Sequence, residues 1–101
     1  MNAIISNLEA TLKDAYRKAV DADTKLEQLQ RSGMGKFSTI FATDSGFQQE
    51  KNRFMPYVEE LAADILALKS EDESVQQAKL PLLLKKLELM FSTLHRFKTS
   101  L

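Results

Sequence analysis

Toward the C-terminal end of the chain, Leu80, Leu83, Leu87, Met90, Leu94, Phe97 and Leu101 follow one another in steps of three and four. That spacing keeps one apolar stripe on one side of a helix and leaves the polar residues on the other. A second ladder, Ile5, Leu8, Leu12, Ala15, Ala19, Ala22, Leu26 and Leu29, predicts a first helix from about residue 2 to residue 31. Ser32-Gly33-Met34-Gly35 stops it, because glycines supply the positive φ angles of a helix end. The three alanines at the centre of the stripe allow a neighbouring helix to approach closely while the larger residues grip at both ends. Sustained three-four spacing also suits a coiled-coil seam. Alanines make that seam weak, so packing within the chain is favoured, and a monomer is expected over a homodimer.

The middle of the chain is less regular. Residues 36–53 are rich in phenylalanine and interrupted by turn formers, and they read as a short helical turn plus a loop. Asp44 or Ser45 can cap a second helix that carries Phe47, Phe54, Val58, Leu61, Ile65 and Leu68 inward. Pro56 falls within that pattern. The helix either kinks near Met55 or restarts there with Pro56 in its first turn, and one kinked helix is the preferred reading. Ser70-Glu71-Asp72-Glu73 has the form of a capping box and predicts the start of a third helix. Pro81 then leaves that helix bent or divided. The expected fold is all-α: an antiparallel three-helix bundle with short extra segments and proline kinks or breaks, one domain over residues 1–101, whether standing alone or as the N-terminal domain of a longer protein.

Composition narrows the chemistry. With 101 residues, 44% of them hydrophobic, the chain can bury a modest core but hardly an enclosed catalytic cavity as well. It has no cysteine, which removes disulfides and thiolate chemistry. No stretch approaches the roughly 20 apolar residues of a membrane span, and a soluble, cytoplasmic protein without membrane contact is expected. Fourteen basic residues balance fourteen acidic ones, so no overall surplus draws the chain to nucleic acid, and proteins are the expected partners. The distribution is uneven. Residues 57–74 hold six acidic side chains against Lys69, and residues 75–101 hold five basic ones against Glu88. Attraction between two neighbouring antiparallel helices accounts for this pattern, and an acidic or basic partner site is the alternative.

Catalytic, metal-binding and cofactor-binding residues are not expected. His95 is the only histidine, with no acidic residue three or four places away, and it reads as a surface or half-buried structural residue. Glu59 and Glu60 are adjacent, point about 100° apart on a helix and read as a solvated face. Gly33-Met34-Gly35-Lys36 lacks the strand and the Lys-Ser/Thr ending of a phosphate loop. Two groups are candidates for partner contact. Phe37, Phe41, Phe47, Phe54 and Tyr57 place five of the eight aromatics within 21 residues; most would close the end of the bundle, with Phe37, Phe41, Phe47 and Tyr57 as the candidate contacts. Lys85, Lys86, Arg96 and Lys98 could form a basic strip on the outer face of the third helix for an acidic peptide or single-stranded DNA, against the alternative of a plain solvated face.

The run Phe54-Met55-Pro56-Tyr57-Val58-Glu59-Glu60, ending at Leu66-Ala67-Leu68, and then Val75-Gln76-Gln77-Ala78-Lys79-Leu80-Pro81 before a leucine-rich helix, resembles the N-terminal half of the primosomal replication protein PriC (protein N'') family. Ile40-Phe41 is similar to an aromatic pair that the family carries before its second helix. The resemblance implies a non-enzymatic adaptor in bacterial DNA replication restart, a primosome component that helps load the replicative helicase at stalled forks. In that family a basic, arginine-rich C-terminal half is associated with single-stranded DNA-binding protein and DNA. No such region lies within these 101 residues, so the helicase is the expected partner, and single-stranded DNA-binding protein or single-stranded DNA has only Lys85, Lys86, Arg96 and Lys98 to meet it. The alternative is a structural or secretion-type helical protein that self-associates or pairs with a helical partner. The absence of a Trp-x-Gly turn speaks against the best-known hairpin family of this length.

Overall fold

A computed structural model describes residues 2–31, 47 and 53–99, and these form three helices: α1 (Asn2–Arg31), α2 (Met55–Lys69) and α3 (Glu73–Thr99). At about 1.5 Å per residue α1 is roughly 45 Å long, and it sets the 48 Å long dimension of the molecule. The helices share one continuous core. Ile5, Leu8, Ala15, Ala19, Ala22 and Leu26 of α1 are buried with Tyr57, Val58, Leu61, Ile65 and Leu68 of α2 and Leu83, Leu87, Met90 and Leu94 of α3. The fold is an all-α three-helix bundle. Bulk and thinness alternate as close packing requires: Ala15 and Ala19 are fully buried on α1, while Tyr57, Leu61 and Met90 supply volume from the other two helices.

Both ladders face inward as their spacing predicts. Leu12, Leu80 and Phe97 are partly buried against the core, and Leu101 lies outside the described residues. The α1 stripe is thus used inside the bundle. The expected short segments between α1 and α2 fall outside the described residues, apart from Phe47.

The second helix departs from expectation at its start. Phe47 is not helical, and α2 begins at Met55 with Pro56 in its first turn. The helix restarts where a kink was preferred, because Pro56 has no N–H to lose in that position and its fixed φ suits a first turn. Phe54 occupies the cap position without a side-chain cap of its own. Asp23 of α1 takes that role from across the bundle, accepting the Phe54 N–H through Oδ1 at 2.6 Å and the Met55 N–H through Oδ2 at 2.9 Å. A carboxylate there satisfies two orphan donors and complements the helix dipole. Near the far end of the same helix pair, Lys69 meets Glu9 at 3.5 Å on the surface. The two contacts fix α1 and α2 antiparallel.

The α2–α3 connection also corrects the sequence reading. Ser70 belongs to the end of α2, where its N–H and its hydroxyl both donate to the Ala67 carbonyl. It cannot also open α3, and Asp72 caps that helix by accepting the Val75 N–H and the Ser74 hydroxyl through Oδ1. These two bonds hold the Asp72 carboxyl below its ordinary value, the Val75 N–H contributing most. Gln76 is buried and donates to the Leu68 carbonyl at 3.0 Å, closing the C-terminal end of α2. Pro81 neither divides nor ends α3, which runs unbroken through it. Gln77 and Pro81 lie on the solvent side, where water can serve the carbonyl that the proline leaves without a partner.

Candidate functional site

The eight candidate contact residues separate into distinct places. Phe37 and Phe41 lie outside the described residues. Phe47 and Tyr57 are buried side by side, their rings edge to face at 85° with centroids 5.1 Å apart. They serve as core lids and present no exposed anchor. Phe54 is likewise buried and tilts against Phe97 at 5.7 Å.

The basic candidates do not form one strip. Lys85 and Arg96 stand exposed on the outer side of α3, where Arg96 reaches the Thr93 hydroxyl at 3.5 Å. Lys98 is exposed on the flank toward α1. Lys86 points inward instead of outward. Its side chain is only 5% exposed, and its ammonium donates to Glu60 Oε2 at 2.6 Å and to Asp64 Oδ2 at 2.5 Å. It also lies 5.0 Å from the centre of the Phe47 ring. Burial alone would lower the lysine's pKa; the hydrogen bonds to Asp64 and Glu60, together with their charges, outweigh it and hold the ammonium above its ordinary value of 10.5. Glu60, read from sequence as solvated, is a largely shielded partner in this pair, its side chain 10% exposed. Lys79 and Glu71 meet at 3.1 Å on the same seam. The opposite charges of residues 57–74 and 75–101 thus join α2 to α3, and part of that join is internal.

Sequence reasoning missed Asp23 and Gln76, yet each left a signal. Gln76 extends the α3 ladder back by one step of four from Leu80, which places it on the buried stripe. Lys86 lies three residues after Leu83 and four before Met90, at the margin of the same stripe. Asp23 sits between the buried Ala22 and Leu26 on α1, at the edge of an apolar face.

A groove of about 450 Å³ lies between the C-terminal halves of α1 and α3. Ala22, Leu94, Phe91 and Phe97 form its apolar floor, and Lys18, Asp21, Lys25, His95 and Lys98 stand around it. Lys18 lies 5.1 Å from the centre of the Phe91 ring and shares its charge with Asp14 at 3.3 Å. Lys25 and Lys98 pair with no acidic group among the described residues. His95 is exposed at the rim. Among the described residues no buried side-chain nitrogen or oxygen lacks a hydrogen-bond partner, and no three His, Cys, Asp or Glu residues converge as a metal site. No described helix is long and apolar enough to cross a membrane.

Compared with known proteins, the chain matches no family model, no curated protein and no solved structure. Function is therefore argued from its own residues.

Proposed function

We propose that this chain is a non-enzymatic adaptor in bacterial DNA replication restart, a primosome component that binds the replicative helicase and helps load it at stalled forks. The observation that carries the reading is where the PriC-like residues sit. Tyr57 and Val58 are core residues, Glu60 holds Lys86, Gln76 closes α2, and Pro56 starts α2. They build the joints of the bundle, and a shared scaffold is what such a resemblance would preserve. Because Lys85, Lys86, Arg96 and Lys98 do not lie together, the reading takes the helicase, and not single-stranded DNA-binding protein or single-stranded DNA, as its partner. The cytoplasm follows as the place of action.

The test is retention of a purified bacterial replicative helicase on the immobilised chain. Retention is expected, and Phe41→Ser should weaken it while changing stability by less than about 1 kcal/mol. Failure of the parent chain to hold the helicase overturns the proposal.

A second reading, self-association, draws on a different observation. The register set by Glu9–Lys69 and by Asp23 on the start of α2 puts Tyr16, Val20 and Leu66 along one outer seam, where Tyr16 is 54% and Leu66 69% exposed. Solution mass measured against concentration separates the two readings. A dimer abolished by Leu66→Lys would favour the second, and a monomer at all concentrations the first.

A further inference from the structure

We infer that the groove between α1 and α3 is a docking site for an acidic amphipathic helix of a partner protein. The inference stands on the groove itself and goes beyond the replication reading, so either can fail without the other.

Three features identify the occupant. The groove runs beside α1 from Lys18 to Gln28, about 15 Å of helix axis at 1.5 Å per residue, which matches a short helix laid alongside the two that form it. Its floor is apolar, and helices seat apolar side chains at three-four spacing in such channels. Among the described residues its margins carry Lys18, Lys25 and Lys98 against Asp21. Lys25 and Lys98 stand on opposite walls with no acidic partner among the described residues, so acidic side chains flanking the apolar face of an incoming helix would complete both pairs.

Other occupants fit less well. A small molecule needs fixed polar groups to orient it, and the polar side chains around this groove are all exposed, none of them fixed by burial. Single-stranded nucleic acid needs open aromatic faces for its bases, whereas Lys18 already covers Phe91 and Phe97 is tilted against Phe54.

A peptide-display selection against the full chain tests this, using random peptides about 16 residues long, enough for a helix to form on binding. The enriched peptides should carry Asp or Glu on both sides of apolar residues spaced three and four apart. The strongest binder, labelled and titrated by fluorescence anisotropy, should bind the double variant Lys25→Glu/Lys98→Glu about tenfold more weakly or worse. Lys85→Glu, on the outer side of α3, should change affinity by less than about twofold. Lys25→Gln/Lys98→Gln removes the charges without reversing them and should give a smaller loss in the same direction, which separates a charge effect from damage to the fold read by circular dichroism. The proposal is overturned if nothing is enriched, if enriched sequences lack an acidic bias, or if neither groove variant weakens binding. An equal loss in Lys85→Glu overturns it, as does an oligothymidylate that takes the groove in place of a peptide.

Discussion

The two flanks of α3 meet their neighbours in opposite ways. Toward α2 the seam is closed: Lys86 is held between Glu60 and Asp64, Gln76 caps α2, and Lys79 reaches Glu71. Toward α1 the seam opens into an apolar groove whose Lys25 and Lys98 find no acidic partner among the described residues. Both flanks carry lysines from one short stretch of chain, so charge alone does not decide what they do. Placement decides. A lysine at the margin of the buried stripe is drawn in where carboxylates four residues apart on the facing helix can hold it, and a lysine over a groove is left to meet something else.

The comparison can be broken most forcefully at Lys86. Lys86→Met keeps the aliphatic stem but removes the ammonium held between Glu60 and Asp64, and it should cost about 3 kcal/mol in urea unfolding. Adding Glu60→Leu should recover part of the loss, since one of the two carboxylates that faced the ammonium is then gone as well. The pair also predicts a pH dependence of known sign. The folded pKa of Lys86 is raised, so its contribution is fully present below the ordinary lysine value of 10.5 and is lost as pH rises through the higher folded value. The urea midpoint of the parent should fall in that alkaline range more steeply than that of Lys86→Met.

A smaller effect is expected where α1 does hold a neighbour. Asp23→Ala removes both acceptors from the start of α2 and should cost about 2 kcal/mol, with faster hydrogen exchange at the amides of Phe54 and Met55. Gln76→Ala takes away one buried hydrogen bond and should cost about 1 kcal/mol, read from the thermal midpoint. On the open flank, Lys25→Glu/Lys98→Glu should leave stability within about 0.5 kcal/mol of the parent, because neither side chain holds the fold together. A large loss there would mean that the groove is part of the scaffold.

Much of the bundle could be read from the chain because stripe spacing is a local property. Ile5 to Leu26 and Leu83 to Leu94 needed only their own periodicity to be placed inward, and the end of α1 followed from the Ser32-Gly33-Met34-Gly35 stop. What escaped depended on contacts distant in sequence. The start of α2 is capped by Asp23, about thirty residues earlier, so no local signal near Pro56 could choose between kink and restart. Ser70 carried a true capping signal that the end of α2 claimed first. Among the candidate contacts, Phe47, Tyr57 and Lys86 were chosen for chemistry that suits a surface, yet the two rings are buried against each other and Lys86 is drawn in by carboxylates of α2. The groove was not legible at all: its walls come from α1 and α3, and only their side-by-side packing brings Lys25 to Lys98.

The central claim is that Lys86 is internal to the scaffold while Lys25 and Lys98 face outward from an open groove. Amine acylation of the folded chain, followed site by site by mass spectrometry, tests it directly. Lys25 and Lys98 should be modified at the rate of Lys85, and Lys86 at least about tenfold more slowly, since it is both shielded and held protonated. Equal rates at Lys86 and Lys85 would contradict the account.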